Sequence, residues 1–287
     1  SASASASASA STTHTNGNRR SFFLASATAG IISPSLVSSL FSNFNNNNAN
    51  ANANAATTTT TTAPPAVVPS VSAGMSAFAS NKVEESIEIY DSLISDDPRR
   101  KPYLWQRGLS LYYAGRYKEG ADQFATDVAV NPNDTEEQIW HLLSLSKMED
   151  VGSLSKARSQ KLTVGRDRRP VMRLVQQLFL EEETEDNNNN SETQTQPEKK
   201  LIELATRNSK NNTAGAGASD IFYAALYLSL YYESLNNPLS KQYMRIAVDT
   251  KYAQSSGRGD PMVDVAKVAL QRRGWNNINN DESYSSL

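Results

Sequence analysis

The sequence predicts an all-α protein in which antiparallel helical hairpins stack into a short array. Three observations carry this. Apolar residues recur at helical spacing along residues 83–270; proline and glycine sit where hairpins must stop and turn; and the segment LSLYYAGRYKEGADQF (109–124) aligns without a gap to LSLYYESLNNPLSKQY (228–243).

Residues 1–66 form a region of their own. No acid precedes Glu84, and before it only Arg19, Arg20 and Lys82 are charged, in a background of Ser, Ala, Thr and Asn. Such a composition cannot bury enough apolar surface to offset chain entropy, so a disordered segment is expected. Within it, Asn18-Arg19-Arg20-Ser21-Phe22-Phe23-Leu24 precedes a mildly apolar run from Ala25 to Phe41, and small-residue sites such as Ala49-Asn50-Ala51 follow. The arrangement resembles a twin-arginine export signal behind an acid-poor, Ser-rich leader, as in plastid proteins bound for the thylakoid lumen. The resemblance implies targeting through Arg19 and Arg20 to that lumen, with a bacterial periplasm or the plastid stroma as alternatives. Pro34 and several serines interrupt the apolar run, so no stable transmembrane segment is expected.

Residues 67–180 read as an N-terminal helical unit. A first helix within 67–80 is suggested by Gly74, which lies 34 residues before Gly108. Val83, Ile87, Tyr90 and Ile94 follow at i, i+4, i+7 and i+11, and Asp96-Asp97-Pro98 ends that helix. The stretch from Pro98 to Pro132 then reads as a hairpin. Leu104, Gly108 and Leu111 make one stripe, and Ala121, Phe124 and Val128 the facing one. Gly108 lets the partner helix approach, Gly115 suits a left-handed helix end, and Pro132 stops the second helix. Asn133-Asp134-Thr135-Glu136-Glu137 supplies a cap and first-turn acids to a helix carrying Ile139, Trp140, Leu142 and Leu143. Further helices are expected over 154–164 and 171–180, the latter behind Pro170.

Residues 181–197 carry no large apolar side chain and read as a solvated linker. A C-terminal unit over 198–275 follows. It holds a helix at 198–207, a second hairpin (220–235 and 238–251), and a closing helix through Met262, Val265, Ala266 and Ala269. Residues 276–287 read as a loose tail.

The 34-residue spacing of Pro98 and Pro132, with Gly108, Leu111, Tyr112, Phe124 and Pro132 between or at them, resembles the tetratricopeptide repeat (TPR). Tyr117 and Ala121 sit in or beside other consensus positions, whereas Asp127 stands where alanine is usual. Over residues 83–252 the organisation is similar to NlpI-type bacterial TPR lipoproteins, adaptors for envelope proteases and cell-wall enzymes, although this chain lacks their lipid-accepting cysteine. The TPR resemblance implies a short α-solenoid whose first helices line a concave groove. Its lining would be Trp105, Leu109, Tyr112, Tyr113 and Arg116, with Leu228, Tyr231 and Tyr232 in the second copy. It also implies a non-catalytic adaptor or scaffold for a protein or peptide partner in assembly or proteolysis. The alternative is a structural protein that forms a homodimer or larger homo-oligomer without a peptide client.

Composition narrows the chemistry. With no cysteine there is no disulfide and no thiolate-ligated metal. Without Arg19 and Arg20 the chain has 26 basic residues against 30 acids, about −4, which argues against a nucleic-acid partner. His14 lies in the leader region. His141 has no second His or Cys to complete a metal site or a nucleophile relay, so it reads as a packing or surface residue. Glu181 to Glu183 read as a solvated face, and Gly215-Ala216-Gly217 lacks the lysine of a phosphate loop. No catalytic, cofactor-binding or metal-binding residue is assigned. Arg166, Arg168, Arg169 and Arg173 around Pro170 form a candidate contact for an anion or acidic peptide, because guanidinium groups pair carboxylates bidentately.

Overall fold

A computed structural model describes residues 68–181, 194–207 and 217–276. The leader with Arg19 and Arg20, residues 182–193 of the linker and the tail beyond residue 276 lie outside the described residues, which contain helices and no strand.

Three helical hairpins share one turn geometry. α1 (Val71–Ala79) and α2 (Val83–Asp96) meet at Asn81, α3 (Trp105–Tyr113) and α4 (Tyr117–Val130) at Gly115, and α9 (Ala218–Ser234) and α10 (Leu239–Asp249) at Asn236. These turn residues are left-handed, with φ of 60°, 76° and 55°. Each time the next amide reaches back over the helix end: Lys82 N–H to Ala77 O (2.9 Å), Arg116 N–H to Leu111 O (2.9 Å) and Asn237 N–H to Tyr232 O (2.8 Å). This is the Schellman closure, which satisfies orphan carbonyls while reversing the chain.

The first two hairpins repeat at the predicted 34 residues in their packing as well. A Cβ on Gly74 would lie 2.5 Å from the Tyr90 ring, and one on Gly108 2.6 Å from the Phe124 ring. Each glycine is the seat for an aromatic on the second helix, so the first half-repeat is a full hairpin.

Between the hairpins run α5 (Thr135–Ser146), α6 (Leu154–Ala157), α7 (Pro170–Leu180) and α8 (Gln196–Ala205). Asp134 caps α5 by accepting from Glu136 N–H at 3.1 Å, and Pro170 opens α7. The predicted helix over 154–164 is much shorter. After α6 a single 3-10 turn, Arg158–Gln160, gives way to irregular chain through residue 169. The backbone groups a helix would need are taken elsewhere: Leu162 O accepts from the Gln138 side chain, and Gly165 N–H donates to Pro132 O at 2.7 Å. Residues 98–103 add a 3-10 turn, and Tyr252–Ser256 a π-helical turn before α11 (Pro261–Arg272), neither with a stripe in the sequence.

Neighbouring hairpins stack into a short α-solenoid, and the array closes on itself. α11 packs against α10 and also against α1 and α3, while α9 packs against α8, α10, α7 and α5. One apolar core therefore runs from Phe78 through Trp140 and Phe179 to Leu270. All twelve residues of α5 are buried, as is every residue from Ile221 to Tyr232 in α9. Helices apolar or buried on all sides belong at the centre of a bundle.

The glycine seat gives a direct test. Gly108→Ala should cost about 1–3 kcal/mol in urea unfolding, because the Phe124 ring is fully buried and has nowhere to retreat. Combining it with Phe124→Leu should recover part of that loss.

Candidate functional site

The predicted groove residues do not form an open groove. Leu109, Tyr112, Tyr113, Leu228, Tyr231 and Tyr232 are between 0 and 6% exposed, Trp105 is partly buried against the core, and Arg116 is paired with Glu119 at 2.6 Å. The physical reason is the closure: α11 covers the face of α3, and α9 is itself the central helix. Tyr112 packs edge-on against Trp140 (5.2 Å between ring centres), and Tyr113 lies under the Arg273 guanidinium at 5.0 Å. Sequence spacing could not show what covers these residues.

The core around α3 and α5 also holds polar atoms. Gln106 Oε1, Tyr112 Oη, Tyr113 Oη, Trp140 Nε1 and His141 Nδ1 are buried without a hydrogen-bond partner. Each such atom costs about 1–3 kcal/mol relative to a satisfied one. His141 is held neutral, its pKa lowered from 6.5 to about 4 by burial, with Asp122 opposing.

The four predicted arginines separate into two groups. Arg169 is structural. Its Nη2 lies 3.2 Å from Glu136 Oε2 and 2.8 Å from Asp167 Oδ2, and its guanidinium sits 5.3 Å from the Tyr223 ring centre. Burial works against its charge, yet Asp167 and Glu136 outweigh that and raise its pKa. Glu136 is 2% exposed and also accepts from the Tyr227 hydroxyl at 2.9 Å. Tyr223 and Tyr252 both donate to Asp260 Oδ2, at 2.7 and 2.8 Å, and Asp260 Oδ1 caps α11 through Met262 N–H. The network joins α5, the 161–169 loop, α9 and α11. Of the four arginines expected to contact an anion, Arg169 is thus engaged with Glu136 and Asp167 within the fold.

Arg166 and Arg168 are exposed, and neither pairs with a carboxylate among the described residues. Arg173 Nη1 donates to the carbonyls of Asp167 (3.1 Å) and Arg168 (2.9 Å), which holds its guanidinium in place without a carboxylate to offset its charge. Arg166, Pro170, Arg173, Leu174, Gln176 and Gln177 line an open depression of about 470 Å³. Residues 151–180 hold Lys156, Arg158, Lys161, Arg166, Arg168, Arg169 and Arg173 against the single acid Asp167, in a chain whose formal charge is −2. Arg158 turns inward, its Nε donating to Phe179 O at the end of α7. Arg166, Arg168 and Arg173, flanking Pro170, carry positive charge with no carboxylate paired to them among the described residues.

Among the described residues, no group of His, Asp and Glu is placed to hold a metal ion, and no helix is long and apolar enough to cross a membrane. No protein-family model matches this chain, and neither does any curated protein.

Two outcomes test this description. Arg169→Ala should destabilise by about 3–5 kcal/mol, because it strands a buried carboxylate, and pairing Arg169→Met with Glu136→Gln should restore most of the loss in thermal melts. For His141, the folded pKa lies below the unfolded one, so its stability contribution is complete above pH 6.5 and falls away as pH drops to about 4. Urea titrations should show wild type losing about 3 kcal/mol more than His141→Phe between pH 7 and pH 4; parallel profiles would place the proton uptake elsewhere.

Proposed function

We propose that this chain is a non-catalytic adaptor of the TPR type, which docks an acidic segment of a protein partner on the positive face around α7. The supporting observation is the combination at one place of Arg166 and Arg168, exposed and without carboxylate partners among the described residues, with Arg173 beside the Pro170–Gln177 depression. Here the local acid, Asp167, is spent on Arg169. Pro170 and Leu174 supply an apolar floor on which a peptide side chain can rest while the guanidinium groups hold its carboxylates.

The TPR assignment rests on the hairpin geometry and the 34-residue recurrence of Gly74–Tyr90 and Gly108–Phe124. Fold alone does not choose a client, so the partner is described by chemistry: a flexible acidic segment with an apolar residue among its carboxylates. The thylakoid lumen is the proposed compartment, on the strength of the Arg19-Arg20 address in the sequence, with assembly or proteolysis as the proposed context. The second reading is a homo-oligomer without a client.

The experiment is a fluorescence-anisotropy titration with a labelled Glu/Asp-rich peptide containing one leucine. Binding should weaken about tenfold in the Arg166→Glu, Arg168→Glu double variant and with rising salt, with the melting temperature unchanged. Equal affinity in wild type and variant would remove this face from the proposal. A symmetric dimer in light scattering that buries the same face would favour the second reading.

A further inference from the structure

Positive charge by itself attracts any polyanion, but the depression along α7 also holds an oriented, uncharged group. Gln138, on α5, is only 3% exposed, so both ends of its side-chain amide need partners. Its Nε2 donates to Leu162 O, and its Oε1 accepts from Gln176 Nε2 at 2.9 Å. A carbonyl oxygen can only accept, so Leu162 fixes which end of Gln138 faces it. Gln138 in turn fixes Gln176, whose NH2 must face Gln138 Oε1. Gln176 Oε1 is the end left over: it makes no hydrogen bond among the described residues, and it is not sealed from solvent.

That oxygen stands beside the cations. Pro170, Arg173, Leu174 and Gln177 fall at i, i+3, i+4 and i+7 along α7, and with Arg166 and Gln176 they line the depression. Gln176 lies three residues beyond Arg173, a rise of about 4.5 Å along the helix, while successive residues of an extended peptide advance about 3.3 Å. A peptide lying along α7 with a carboxylate at Arg173 therefore brings the main-chain N–H of the same residue or the next one level with Gln176. Guanidinium groups only donate, so Arg166 and Arg173 can hold the carboxylate and cannot serve that N–H. Gln176 Oε1 supplies the acceptor they lack.

We infer, building on the acidic-segment reading of this face, that Gln176 is a specificity-determining residue of the α7 site: its Oε1 accepts a main-chain N–H of the docked segment while Arg166 and Arg173 hold a neighbouring carboxylate. The site then reads an acidic side chain carried on an extended backbone, with Leu174 beneath it, and disfavours anions that have no amide. Gln138 and Leu162 act through Gln176 as positioning groups and do not touch the peptide.

The test places one N-methyl group in turn on each main-chain nitrogen of the labelled Glu/Asp-rich peptide and measures anisotropy with the full chain. Methylation at one position should weaken binding about fivefold more than at the others, the effect of losing one hydrogen bond. Gln176→Leu should bind the unmethylated peptide about fivefold more weakly and show no position-specific penalty, because the bond is already gone. That variant also strands Gln138 Oε1, so Gln176→Lys is run beside it: its ammonium still donates to Gln138 and offers no acceptor. There the position-specific penalty should vanish while charge attraction is kept. A uniform methylation profile in wild type, or a penalty that persists in Gln176→Lys, overturns the inference, and the charged face stands without it where Arg166→Glu, Arg168→Glu still loses affinity. Equal affinity in wild type and that arginine variant removes the face and the role of Gln176 together.

Discussion

The pairing of Arg169 with Glu136 is the constraint on which most of this structure hangs. Glu136 belongs to the first turn of α5, where a carboxylate suits the positive end of the helix. That helix is buried along its whole length, so the carboxylate is buried with it. A buried charge is tolerable only with a partner and hydrogen bonds. Arg169 supplies the first, the Tyr227 hydroxyl the second, and each sits on a different element. Satisfying one carboxylate thus fixes the path of the 161–169 loop, the rotation of α9 and, through Tyr223 and Asp260, the start of α11.

From that constraint follows the division of labour among the arginines. Asp167, the acid that lies among them in sequence, is bound to Arg169, so Arg166 and Arg168 are left to solvent. The irregular chain between α6 and α7 is thereby both a structural strut and a positively charged surface. A regular helix through the same residues would have spread those charges around its circumference.

The closure of the array explains a second oddity, a core face rich in hydroxyls, amides and imidazole. In an open solenoid such side chains line a concave surface and meet water or a ligand. Here they are packed among neighbouring helices, and several polar atoms are without partners. The hairpins themselves are close-packed around their glycine seats.

Local chain chemistry was written in the sequence. Gly108 and Gly115, Pro132, Asp134 and Pro170 announced the turns and caps, and the stripes announced the helices, because these depend on interactions within a few residues of each other or on a fixed 34-residue offset. The polarity of α3 was equally legible. What the sequence could not show was where that face points. Whether Tyr112 and Tyr113 line a groove or a core depends on where α11 returns, more than a hundred residues later, and no periodicity encodes that. In the same way, Arg166 and Arg169 are alike in sequence. Only the tertiary structure, by burying Glu136 within reach of one and not the other, made the second a strut and left the first free, because the cost of an unpaired buried charge is set by surroundings that the chain assembles only on folding.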